Sequence, residues 1–271
     1  MLAAIPAALE SVVRHAFLLC SAALLPIGLL MVGGFFLLEN YAFELGHLVQ
    51  TGSQKSAGRL LALFVLGLMF FFLVHSVLSI AIGRIMRKET RGLSETFGFR
   101  LGRQEWRAFG ANLRALTLMS IWGAAIFLCM AIAVQFALTD PYNALASGTL
   151  LCLLGALAIY IRIGILIPRT VLTRTGMVVR FNWSAFKGKS WNAGLAALLL
   201  SIPSLIVLFI GNGVATMSGP SDRLTSASSI VLALQIFERI IPAFVTTLAL
   251  AYFVEVLLVT AWAMMIDLPD C

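Results

Sequence analysis

The sequence predicts an all-α fold: a polytopic membrane bundle of about six transmembrane helices, both termini on one side, with short amphipathic helices at the interface. Three observations predict it. Hydrophobic residues make up 61% of the 271 positions and charged residues only 11%, where a soluble domain carries roughly a quarter. Apolar runs of about 20 residues recur along the chain, each long enough to cross a bilayer as a helix. The basic residues are sorted by loop. The net charge of +7 therefore reads as topology rather than as nucleic-acid binding, because its charges sit between spans.

Residues 1–14 alternate apolar and polar positions at helical spacing and suit the membrane surface. The first span covers about residues 16–38, with Pro26 and the Gly33–Gly34 pair inside it, which membrane helices tolerate. It reads as a retained span rather than a cleaved leader, since Arg14 follows Glu10 and the apolar run continues to Leu38. Glu39–Arg59 reads as a polar loop. The second span covers about 60–83 and contains His75.

The longest polar segment, Arg84–Arg114, holds eight basic residues against Glu89, Glu95 and Glu105. Phe99, Trp106 and Leu113 recur every seven residues, with Phe109 close to the same face and Arg100, Arg103, Arg107 and Arg114 beside it. An apolar face bordered by arginines suits a helix in the headgroup layer; packing against the bundle's own cytoplasmic ends explains it equally.

The third span covers about 115–138, and Asp140, Pro141 and Asn143 mark a turn. The fourth covers about 148–167. Pro168 need not end it, because a kinked helix can continue to Thr175 and stop at Gly176. Asn182 or Ser184 is then positioned to cap a single helical turn, and Ser190 to cap the fifth span, about 191–217. Trp183 and Trp191 suit the interfacial aromatic belt, and Gly211 with Ala215 is a small-residue packing pair. Ser226–Arg239 reads as an amphipathic helix preceding the last span, about 241–266.

Arg14, the eight bases of the second loop and the five of the fourth (Arg169, Arg174, Arg180, Lys187, Lys189) make fourteen of the 19. Positive loops stay in the cytoplasm, so both termini are expected there, in the bacterial inner membrane.

Little catalytic chemistry is legible. Cys20, Cys129, Cys152 and Cys271 form no C-x-x-C pair, and His15, His47 and His75 lack ligand spacing, so no metal or cofactor is expected. Cys20 follows Leu19, where a lipidated cysteine needs a small residue. Lys187–Gly188–Lys189–Ser190 is not a phosphate loop, because Trp183 stands where the first glycine belongs. The intramembrane polar candidates are Arg162, Glu255 and His75, since an ionisable residue within a span is by default a functional hypothesis. They lie about 8, 16 and 12 Å from the cytoplasmic ends of their spans. Arg162 can snorkel as an anchor. Glu255 is deeper: it pairs with Arg162, faces a watery pathway, or stays a neutral hydrogen-bonded acid. His75 is a packed polar residue or a proton relay. Candidate headgroup contacts are Arg100, Arg103, Trp106, Arg107, Trp183, Lys187, Lys189 and Trp191.

Arg162 six residues before Pro168, then Trp183, Gly188 and Trp191, resemble a pattern in a broad group of bacterial inner-membrane proteins. That group is similar to the six-helix membrane region fused to some glycerophosphodiester phosphodiesterases. Leu101–Arg107 looks like the basic element some alphaproteobacterial members carry. Phe186 and Lys189 depart from the group's usual threonine and asparagine. The resemblance implies the fold and the inner membrane, and no activity. The expected function is non-enzymatic: action on anionic membrane lipids, or on a protein partner, through the basic cytoplasmic face. The alternative is a small secondary transporter built on Glu255, Arg162 and His75.

Overall fold

The computed structural model describes residues 2–51, 54–87, 102–136, 140–173, 190–217 and 229–266. They form α1 (Ala4–Arg14), α2 (Ala16–Thr51), α3 (Gln54–Met86), α4 (Arg103–Gln135), α5 (Pro141–Ile159), a π-helical stretch (Tyr160–Gly164), α6 (Ile167–Thr173), α7 (Ser190–Met217) and α8 (Ser229–Met265). Among the described residues, six helical segments are long and apolar enough to cross a membrane: Ala16–Leu48, Gln54–Met86, Arg103–Gln135, Ala146–Thr173, Trp191–Gly211 and Val245–Met265. The fold is an all-α bundle of the polytopic membrane kind.

Three polar stretches behave differently from their expected readings. Most of Glu39–Arg59 is helix rather than loop, because α2 continues to Thr51 and α3 begins at Gln54. At 36 residues, α2 is about 54 Å long, well beyond the ~30 Å hydrocarbon core. The extension is held to α3 by a 2.9 Å ion pair between Arg59 and the buried Glu44, and by a 2.9 Å hydrogen bond between His47 Nδ1 and Ser56 Oγ. Second, Arg103–Arg114 is no separate amphipathic helix but the first three turns of α4. Its buried face is Glu105, Ala108, Ala111, Asn112 and Ala115, whose mostly small side chains admit close helix contact. Trp106 points outward, 52% exposed. Third, residues 229–240 continue without a break into the last span as α8. Of the amphipathic helices expected near the surface, α1 is a separate one, and it packs Ala8 fully inside against α8.

The core lies toward the end of the bundle where α3, α6 and α8 finish and α4 and α7 begin. Leu19, Ala22 and Ile27 of α2 meet Leu78 and Ile82 of α3, Ala193 and Ala196 of α7, and Trp262 of α8. A second cluster joins Ile80 to Ala108, Ala111 and Ala115 of α4 and to Ile163, Ile167 and Val171. The most apolar stretch of α4 has no buried residue, so α4 and α5 form an outer hairpin. Trp122 lies against Gly155 and donates to the Leu151 carbonyl at 3.2 Å. At Gly211 of α7 the Thr247 side chain of α8 fills the space a Cβ would need.

The fourth span continues past Pro168, as the sequence allows, through a local irregularity. Proline cannot donate to the carbonyl four residues back and crowds it. That carbonyl belongs to Gly164, the last residue of the π-helical stretch. The widened turn is closed by Ile165 N–H donating to the Tyr160 carbonyl at 3.2 Å. Gly164 is required there, because a Cβ would meet the Tyr160 ring at 2.5 Å. The Leu166 carbonyl accepts both the N–H and the hydroxyl of Thr170.

Candidate intramembrane polar site and basic end

Four elements bring a polar cluster into the apolar interior. Tyr252 and Glu255 are three residues apart on α8 and so share a face. Across from them, His75 of α3 places Nδ1 2.5 Å from the Tyr252 hydroxyl, which donates to it in the Nε2–H tautomer. Phe71, one turn earlier, stacks on the His75 ring at 6.2 Å and meets the Tyr252 ring at 5.0 Å. The π-helical stretch brings Tyr160 within electrostatic range of both Glu255 and Tyr252. From α7, the Ser201 hydroxyl lies 2.9 Å from the Ala197 carbonyl and 3.4 Å from Glu255 Oε1, sharing its single hydrogen between the two acceptors.

His75 lies eleven residues before the end of α3 and Glu255 ten before the end of α8, so they are about 15–17 Å from that end of the bundle. Among the described residues no buried side-chain nitrogen or oxygen lacks a hydrogen bond. Imidazole, carboxyl and phenols can each take or release a proton; the direct contacts among them are His75 with Tyr252 and Glu255 with Ser201.

Arg162 was expected in the same site. It lies two residues beyond Tyr160, on a nearly opposite face of the helix, and it lines a groove between the fourth span and α7. The hydrogen bond given to Glu255 comes instead from Ser201. The groove encloses about 520 Å³ and is apolar except at Arg162 and Trp191.

At the basic end, several arginines build the protein. Arg84 meets Glu105 at 2.7 Å and donates twice to Gln104 Oε1, at 3.1 and 2.7 Å. Glu105, 1% exposed, also accepts the Gly102 N–H at 3.0 Å, closing the N-terminus of α4. Arg87 donates to the Leu172 carbonyl at 2.9 Å, and Arg169 to the Ala263 and Ile266 carbonyls. Each guanidinium satisfies carbonyls left open at a helix C-terminus. Of the expected headgroup contacts, Arg103 and Trp106 are exposed, Arg107 is half-buried, and Trp191 is 85% exposed. Arg100, Trp183, Lys187 and Lys189 lie outside the described residues, as do the cap residues Asn182 and Ser184.

No family model, curated protein or solved structure matches the chain.

Sequence reasoning found His75 and Glu255 because an ionisable residue in a span stands out. It missed Tyr160, Tyr252, Ser201 and the buried Asn112–Ser76 hydrogen bond of 2.9 Å. One signal was available: a mid-span tyrosine must find a partner for its hydroxyl.

Proposed function

We propose that the protein is a multi-pass bacterial inner-membrane protein with both termini in the cytoplasm. In this reading it carries out no catalysis, and it engages anionic phospholipid or a protein partner through its basic face. The observation that carries the reading is the division of labour at the basic end. Arg84, Arg87 and Arg169 hold helices together, while Arg103, Trp106 and Trp191 stand outward at the same end. Each base near an anionic surface contributes about 1 kcal/mol of attraction. The resemblance to the phosphodiesterase-linked membrane region is part of the same proposal.

Two experiments test it. Reporter fusions after Gly52, Asn143 and Ser221 are expected to report the periplasm, and fusions after Ser94 and Thr175 the cytoplasm; reversal at either of the last two overturns the orientation. Neutralising Arg100, Arg103, Arg107, Lys187 and Lys189 together is expected to lower the anionic lipid that co-purifies and its salt sensitivity. Unchanged lipid refutes the lipid reading.

A second reading, a small secondary transporter, is favoured by the His75–Tyr252–Tyr160–Glu255–Ser201 cluster. It requires Glu255→Gln to abolish proton-coupled flux in proteoliposomes while the protein stays folded. Flux that survives the substitution removes this reading.

A further inference from the structure

Resting on the lipid reading, we infer that the groove beside Arg162 is a seat for one anionic phospholipid, distinct from the diffuse attraction of the loops. The phosphate lies at Arg162 and one acyl chain runs along the groove toward Leu154.

Three features of the groove agree on this occupant. Its walls are aliphatic, with Leu154 and Leu157 on the fourth span and Leu195 and Leu198 on α7. These leucines are all exposed on the outside of the bundle, and in a membrane-spanning chain that surface meets lipid. The groove also has the right length. From Arg162 to Leu154 is eight residues, about 12 Å of continuous apolar wall for an acyl chain.

The two polar side chains sit together at the end nearest the basic face, where phosphates lie. Trp191 begins α7 and suits the headgroup level. Arg162 is part of the groove's lipid-facing wall. Its five N–H donors can serve a phosphate while keeping another partner. Gly194 forms part of the lining, and a Cβ there would already touch Ile161 at 3.4 Å. Lipid tails gain little by leaving other lipid. Selectivity must therefore come from the headgroup charge at Arg162, and the groove's shape decides whether a chain is retained. A second copy of the protein is the less suitable occupant, because an apposed apolar helix would cover the arginine with no compensating charge.

The test is native mass spectrometry of the full-length protein released from mild detergent and titrated with phosphatidylglycerol or phosphatidylcholine of equal chain length. The intact protein is expected to retain one phosphatidylglycerol in preference. Gly194→Leu, which fills the groove without changing charge, is expected to lose that lipid; Leu198→Trp fills it from the same helix should Gly194→Leu not fold. Arg162→Gln is expected to keep a lipid but lose about fivefold in preference for phosphatidylglycerol, and Arg162→Lys to restore most of it. Wild-type retention in both the filled and the neutralised variants overturns the inference. So does a dimer that Gly194→Leu converts to monomer, which assigns the groove to a second copy. The five-residue loop variant separates the two readings. If it lowers bound anionic lipid while the groove variants change nothing, the seat is wrong and the basic face stands. If the groove variants lose their lipid and the loop variant does not, the seat stands and the basic-face reading fails.

Discussion

Arg84→Met is expected to be the most damaging single change at the basic end. It leaves the Glu105 carboxylate, whose side chain is 2% exposed, in the protein interior without its cation. Removing one member of a buried pair costs about 3–5 kcal/mol. Glu105 keeps its 3.0 Å bond from the Gly102 N–H, so the loss belongs toward the lower part of that range. Glu105→Gln is milder, at roughly 2 kcal/mol. Its amide oxygen can still cap α4, and Arg84, with a quarter of its side chain exposed, keeps Gln104 and some water. Glu105→Ala also loses the cap, for about 1 kcal/mol more. In the double variant Arg84→Met/Glu105→Gln no buried charge is stranded, so part of the loss returns, with a coupling of about 2 kcal/mol. Equilibrium unfolding in mixed micelles reads this directly, with the fully buried Trp262 as the fluorescent reporter. Partial burial also predicts weak dependence on salt. Losses that add to within about 0.5 kcal/mol, or that vanish in high salt, refute the claim that this pair joins α3 to α4.

Tyr252→Phe removes the hydroxyl bonded to His75 and is expected to cost about 1–2 kcal/mol. His75→Phe in that background should then cost less than it does alone, and an unchanged cost refutes the coupling. Gly211→Leu drives α7 off Thr247, whose β-branched side chain cannot move aside. A loss of at least ~2 kcal/mol is expected by the same unfolding assay, and Thr247→Ala should rescue part of it. Arg59→Gln is the contrasting case, because Arg59 is mostly exposed where it meets Glu44. Exposed pairs contribute about 0–1 kcal/mol, so a loss beyond ~1 kcal/mol would show that the α2–α3 extension depends on it.

By itself the sequence determined the class of object and the places where it can cross a membrane. Each crossing is a local property, about 20 apolar residues in a row, and six such runs give six long apolar helices. It also left room for the fourth span to continue past Pro168, since a membrane helix can tolerate a missing donor. It did not determine where helices end. Polarity marks the edge of the hydrocarbon, and a backbone that satisfies its own hydrogen bonds continues past that edge unless something stops it. Glu39–Arg59 was misread as a loop for this reason; for Arg103–Arg114 and residues 229–240 the sequence showed helices without showing that they run on into the spans. His75 and Glu255 were legible because their cost in lipid is intrinsic to the residue. Tyr160, Tyr252 and Ser201 were not, and neither was the Arg84–Glu105 pair, because each acquires its role only from the helix beside it. The tertiary structure alone decided that Tyr160 faces Glu255 while Arg162, two residues on, lines the outer groove. Their spacing puts the two on nearly opposite faces of one helix, and only the packing of that helix decides which face turns inward.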